Sequence, residues 1–477
     1  MVSTPPTIDR VQDNCVHAAR AASPAPEDAR RLPWRLSPAQ ALAAWPETEP
    51  SCALISAGKG PLARWSVLAR PSRIAACPQI DGAAVTRESL EGALRSALGD
   101  SWADESVCAS DALPFCTGAI GFVSYDAGAL WEPSVLSPPH RGSRPSWPIA
   151  WWAIVDGALV HDGDTGQWWE TGAPGAASLI DPDRAVSIDL EHLQHALEVR
   201  SALAPARSDA DYAQDVAATV RAIRDGEIFQ ANIARAFTAR VGVHPRHWAA
   251  WALASPGARH GAYLEIGDGR SILSLSPELF LDVDARTRQV RTRPIKGTRA
   301  LGTDPRELEL SAKDAAELHM IVDLMRNDLG RVARIGSVQV RQPRELEEHP
   351  TVLHAVAEVS AQLRPDVGPV ELLRATFPPG SVTGAPKVQS MKVIARTERF
   401  IRGPYCGAIG FHDPRRRTML SVAIRTAMHE PDGTLTYAAG CGIVADSDPS
   451  AETRESTLKT RALAQLLEGA SRLPSRS

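Results

Sequence analysis

Apolar positions along the chain change their period from front to rear. Between Leu32 and about Leu190 they fall in short runs bounded by turn residues. Cys52–Ser56 and Trp65–Ala69 read as two strands, and Ala119–Tyr125 and Ala150–Val160 as two more, with Trp151 and Trp152 as aromatics suited to a pleated surface. Pro133–Pro148, rich in proline and serine, reads as a surface loop. Residues 1–31 are polar and rich in alanine, proline and arginine, which predicts a loosely held lead-in ahead of a β-rich region at 32–207.

A second region, 208–470, begins with helical spacing. Val216, Val220 and Ile223 recur within Asp211–Asp225, and Gly226 stops the helix. Leu318, Ile321, Val322, Met325 and Leu329 predict a further helix with one face in the core. Leu420, Val422 and Ile424 alternate with Ser421, Ala423 and Arg425, which predicts a strand carrying Arg425 on its non-core face. Helical and strand patterns mix without strict βα alternation, so the expected class is α+β.

At 477 residues the chain can bury a large core, and its composition, 44 % hydrophobic and 23 % charged, is that of a globular protein. A formal charge of −4 without any long basic run gives no reason to expect nucleic acid or an anionic membrane as partner. No run of 18 apolar residues is long enough to span a bilayer, and the start has no basic segment followed by an apolar one. The seven cysteines have no CxxC spacing, so a reducing cytosol is the expected setting, with neither a disulfide framework nor structural zinc.

Five clusters then carry candidate chemistry. Proline and glycine pin the backbone on both sides of Lys296, which suits either a surface turn or an amine held for attack. Glu278 follows a strand-like run from Ile272, where a carboxylate is well placed for proton transfer or simply solvated. Asp314 and Glu317 share a face near a helix start. They complement the helix dipole or, with a cation between them, hold magnesium. Glu452, Glu455 and Lys459 line one side of a C-terminal helix, as a salt-bridge stripe or as a metal carboxylate beside a cation. Glycine-rich turns at Phe377–Lys387 and Ala439–Gly442 are either ordinary turns or places where backbone meets a ligand. The first runs into a helix with Pro386 in its first turn, whose free N–H groups suit an anion.

Taken in order, these stretches resemble the chorismate-utilising enzymes. The residues that carry the resemblance are SPE at 276–278, TRPIKGT at 292–298 and KDAAELHMIVDLMRNDLGRVA at 313–333. FPPGSVTGAPK at 377–387, YCGAIGF at 405–411, AIRTA at 423–427 and GIVADSDPSAE at 442–452 continue it, and PFCTGAIGFVSYDAG at 114–128 extends it thinly to the front. The resemblance implies a single large α+β unit, with antiparallel sheets packed face to face and helices outside. It implies magnesium held between Glu317 and Glu455, with Asp314 and Glu452 around it, gripping a carboxylate of chorismate. Arg425, Tyr405, Lys459 and the N–H groups around Gly440 and Gly442 would hold the other acidic group, and Thr383 and His354 would line the pocket.

Two positions choose among family members. PIKGT resembles aminodeoxychorismate synthase, whereas anthranilate synthases carry alanine where this chain has Lys296. Members that attack with water have a base lysine at the position of Gln230, and a neutral amide cannot take that proton. The resemblance therefore implies amination of chorismate at C4, with Lys296 as nucleophile and Glu278 as acid, for p-aminobenzoate and folate synthesis. No G-x-C-x-G elbow is present, so ammonia is expected from a separate glutamine amidotransferase subunit. The sequence departs from the family pattern at Cys441, Thr453, Arg454 and Ser456. Rival readings are an anthranilate synthase component I or another chorismate-aminating enzyme, an inactive regulatory partner of a glutaminase, and a generic metal-dependent hydrolase, which gives the lysine no role.

Overall fold

The computed structural model describes residues 29–57, 62–77, 85–103, 113–135, 147–242, 245–255, 258–349 and 352–471. Two large sheets organise it, and every described strand pairing is antiparallel. The first has 12 strands running from Ala29–Leu32 at one edge, through Cys52–Ile55 and His260–Gly267, to Thr434–Ile443, Gln230–Val241 and the two-residue Gly384–Ala385. The second has 10 and runs from Ile295–Ala300 through Val352–Gln362, Leu279–Asp284 and Arg417–Val422 to Gly118–Val123, Ala150–Val155 and Arg73–Cys77. Front and rear segments interleave in both sheets, as where Cys52–Ile55 pairs with His260–Gly267. The α+β expectation holds.

Strand periodicity explains the layering. In the first sheet Cys52, Val67, Ala69, Ala158 and Val160 face the main core, while Ala53, Ile55, Leu68 and Leu159 face a second one. That second core packs the sheet against the helices Pro38–Ala43, Arg246–Ala254 and Arg461–Ser471, through Leu42, Trp248, Leu253, Leu463 and Leu467. No described helix is long and apolar enough to cross a membrane.

Four sequence expectations need correction. Ala150–Val160 is two strands, Ala150–Val155 in the second sheet and Gly157–Asp162 in the first, because the chain crosses between sheets at Asp156. Ala29–Arg31, assigned to the lead-in, already pair with Trp169–Thr171 as an edge strand; residues 1–28 lie outside the described residues. Pro386 precedes the helix Lys387–Thr397 as its N-cap instead of lying in its first turn. Most of Pro133–Pro148 lies outside the described residues.

Arg425 is the fourth. The strand ends at Val422, both Ser421 and Ala423 are buried, and Arg425 lies in a bend with φ +51° before the strand Thr426–His429 of the other sheet. Alternation failed there because the chain changes sheets and both faces of the segment meet protein. A second crossover runs beside it in the opposite direction, from Arg270–Ser276 in the first sheet to Leu279–Asp284 in the second, with Pro277 and Glu278 between. The two are stitched together: Ser276 Oγ donates to Val422 O (2.6 Å), Val422 N to Glu278 O (3.0 Å) and Leu275 N to Arg425 O (3.0 Å). This seam places Glu278 and Arg425 side by side between the sheets.

Candidate active site

Lys296 lies on the strand Ile295–Ala300, at the edge of the second sheet, and is half-buried. Its amine donates to Ser381 O at 3.1 Å. Burial lowers its pKa, and the carboxylates of Glu317 and Glu278 offset this only in part. Glu278, at the seam, is 4 % exposed. Burial raises its pKa to about 7, against the opposing pull of the Ser381 hydroxyl, Lys296, the Ile295 N–H and Arg425. The same loss of water thus lowers the pKa of the amine and raises that of the carboxyl.

Unsatisfied polar atoms gather around this pair. Gln230 Oε1, Glu278 Oε1, Ser381 Oγ, Asn232 Nδ2 and His354 Nε2 are buried without a hydrogen-bond partner. Buried polar groups are normally paired, so a cluster of orphans marks a place where a ligand supplies the partner. Gly442 keeps the space open: a Cβ there would stand 2.3 Å from Gln230 Nε2 and 3.6 Å from Lys296 Nζ. His354 Nδ1 pairs with Thr298 Oγ1 (2.8 Å), and burial together with nearby Arg425 lowers its pKa to about 3, so it faces the pocket neutral.

The acidic residues come from two helices. Ala312–Gly330, capped by Ser311, carries Asp314 and Glu317; Pro449–Leu458, capped by Asp448 with Pro449 in its first turn, carries Glu452 and Glu455. Buried Arg235 fixes the second helix through Ser456 Oγ (3.0 Å), Thr457 Oγ1 (2.8 Å) and Thr453 O (3.2 Å), which gives the departure at Ser456 a structural role. Glu317 feels both Lys296 and Glu452, and burial raises its pKa. For Glu455 burial acts upward too, but Lys459 and Lys313 outweigh it and the pKa is lowered. The two helices therefore share one electrostatic site.

The close donor trio differs from the expected pair. Among the described residues Cys441, Glu452 and Glu455 bring ligand atoms within 4.8 Å of one another; Glu317 and Asp314 are outside that group. Asp314 is engaged by Arg299 (2.8 Å), and Glu452 accepts from Ser447 Oγ (2.7 Å). The donors otherwise suit magnesium, since Glu317, Glu452 and Glu455 are hard oxygen ligands converging from two helices. Cys441 is a soft neighbour that magnesium would ignore.

Other expected residues divide. Lys459 Nζ donates to Gly440 O and to Glu455 Oε1, both at 2.9 Å. Thr383, fully buried, spends its hydroxyl on Pro379 O (3.1 Å) and Gly380 O (3.2 Å) of its own turn. Tyr405 is buried beside Cys406 and Arg402, in a separate cluster where Arg402 pairs with Glu398 (2.6 Å) and binds Val382 O (2.9 Å) and Asn232 O (2.6 Å). Sequence reasoning missed Ser381, inside the motif at 377–387, and Asn232, two positions after Gln230; nothing in their type or spacing separates them from neighbours. A cavity of about 590 Å³ lined by Arg30, Glu170, Asp156 and Asp413 includes none of these residues.

Comparison with known proteins agrees with this geometry. Residues 71–465 match the family described as chorismate binding enzyme. A relative named anthranilate synthase component 1 3, from Haloarcula marismortui, is 40 % identical over 55 % of this chain, which spans 53 % of that relative's length. Aminodeoxychorismate synthase component 1 from Klebsiella aerogenes is 34 % identical over 75 % of this chain and 78 % of its own. The crystal structure of anthranilate synthase component I from Streptococcus pneumoniae TIGR4 superposes with a TM-score of 0.68 at 26 % identity, covering 85 % of this chain and 93 % of that one. The chain belongs to the chorismate binding enzyme family and is a chorismate-utilising enzyme.

Proposed function

We propose that the protein aminates chorismate at ring C4, giving 4-amino-4-deoxychorismate for p-aminobenzoate and folate synthesis, with ammonia from a separate glutamine amidotransferase subunit. One observation supports this above the others. An amine with a lowered pKa, Lys296, stands in the same pocket as a buried carboxyl, Glu278, whose pKa is raised to about 7. An uncharged amine is a nucleophile and a protonated carboxyl is an acid, and burial shifts each group toward the form this chemistry needs.

In this mechanism the Lys296 lone pair attacks ring C2, the double bonds shift, and the C4–O bond breaks as Glu278 protonates the leaving hydroxyl. Ammonia then adds at C4, the bond from C2 to Lys296 breaks, and Glu278 recovers a proton from the added nitrogen. Arg425, His354 and Lys459 would orient the substrate's acidic groups by charge and hydrogen bonding. Magnesium held by Glu317 and Glu455, with Glu452 and Asp314 around them, would neutralise a substrate carboxylate. Gln230 presents an amide where a base would be needed for attack by water, which argues against hydration products.

Amination at C2 to anthranilate is the second reading, favoured by the name of the archaeal relative. It leaves Lys296 without a role. Incubation with chorismate and magnesium but no ammonia should add a dehydrated chorismate to the intact protein mass. Lys296→Ala should remove the adduct; unchanged turnover in that variant would refute the assignment. With ammonium present, the ring position of the new nitrogen decides between the two products.

A further inference from the structure

The proposed nucleophile and acid are not in contact with each other. The amine's hydrogen bond goes to Ser381 O, not to a carboxylate, and Glu278 Oε1 has no partner. Ser381 is the residue that meets both. Its carbonyl accepts from the Lys296 amine, and its hydroxyl, which has no hydrogen-bond partner, acts on the Glu278 carboxyl to favour the charged form. At 5 % exposure, with Oγ otherwise unpartnered, that hydroxyl can both accept and donate a proton.

The surrounding turn holds Ser381 in this place. Lys387 Nζ binds Thr376 O (2.7 Å) at the base of the turn, Arg402 binds Val382 O, and Asn232 N donates to Thr383 O (2.7 Å). Gly380 lies against Leu324, where a Cβ would come within 2.7 Å of the leucine side chain. A buried hydroxyl left unpaired costs about 1–3 kcal/mol, and a turn anchored on both sides of it keeps that cost in a fixed position.

We infer that Ser381 is a further catalytic residue, whose hydroxyl relays a proton from the Lys296 ammonium to the Glu278 carboxylate. The relay rests on the lysine-nucleophile reading. In the step an N–H bond of Lys296 breaks as its proton passes to Ser381 Oγ, and the serine's own proton passes to Glu278. Ammonium and carboxylate become amine and acid, their summed charge is zero before and after, and no other reactant is needed. Rotation about the Ser381 Cα–Cβ bond carries Oγ between the carboxyl and the amine held at the same residue's carbonyl.

The test is the rate of adduct formation, followed by rapid quench and intact mass, with chorismate and magnesium present and ammonia withheld, across pH 5.5 to 9. Ser381→Ala should slow it about 100-fold, within the range for a lost proton-transfer group. It should also move the limb that reports Glu278 to higher pH, because the hydroxyl that favours the carboxylate is gone. Ser381→Thr, which keeps the hydroxyl, should recover most of the rate. Ser381→Cys fills the same volume with a poorer bridge and should be slow too, which carries the comparison should the alanine variant fold badly. Wild-type rates and an unmoved pH profile in the alanine and cysteine variants would overturn the relay alone. No adduct in the wild-type protein would overturn the lysine nucleophile and the relay with it.

Discussion

Two lysines are drawn out of water in different regions of this molecule, and different groups meet their amines. Lys387 opens the helix Lys387–Thr397; its side chain is 11 % exposed and its amine binds the carboxylate of Asp328, itself 4 % exposed, and Thr376 O. Lys296 on its edge strand has one carbonyl and no carboxylate within hydrogen-bond reach. Burial lowers the pKa of both. Lys387 has a carboxylate directly against its amine, which opposes the effect of burial, and the pair pins the turn before the helix to the helix Ala312–Gly330. Lys296 has only distant carboxylates, so the uncharged form is within reach. A buried lysine is therefore no more a nucleophile than a structural cation until its partner is known.

Breaking each side of this comparison has a different expected outcome. Lys296→Ala should lose the covalent adduct and turnover entirely, while thermal unfolding stays near that of the wild-type protein, since no ion pair is broken. Glu278→Gln should slow adduct formation by roughly 10²–10⁴-fold, the usual worth of a placed acid, measured by the same quenched mass assay.

Lys387→Met should leave Asp328 buried and unpaired, costing about 3–5 kcal/mol of stability by denaturant titration, while the protein that remains folded still forms the adduct. Adding Asp328→Asn should return part of that loss. A catalytic Lys387 and a merely structural Lys296 would reverse these results.

The smallest effect sharpens the comparison through pH. Glu278 has a folded-state pKa raised from 4.5 to about 7, so the native state binds its proton more tightly than the unfolded chain. The stability this gives is complete below pH 4.5 and is lost as pH rises through 7, about 3 kcal/mol across the window. Denaturant titrations at pH 4.5 and pH 7.5 should show that fall, and Glu278→Gln should remove it.

Much of the site was legible before any coordinates. Lys296 stands out once its proline- and glycine-flanked segment is read with the other ordered motifs, and Glu317, Glu452 and Glu455 because helical spacing groups them; the fold buries Glu452, half-buries Glu317 and leaves Glu455 exposed. Arg425 misled because alternation was extended past Val422, where the backbone turns to φ +51° and changes sheets. Asp314 stands on the helix where the sequence put it, but its ion pair with Arg299 from a neighbouring strand was not legible. Thr383 looked like a pocket hydroxyl and is consumed by its own turn.

By itself the sequence determined which elements form, which face of each is apolar, and which titratable residues occur in an ordered set, since periodicity and turn chemistry are local properties of the chain. Only the tertiary structure decided who partners whom. Ser276 meets Val422 across 146 positions, and Ser381 meets Lys296 across 85. Whether a lysine is a nucleophile or a clamp depends on the group that reaches its amine. That group arrives from a distant segment, and its position is fixed only when both sheets close on the seam.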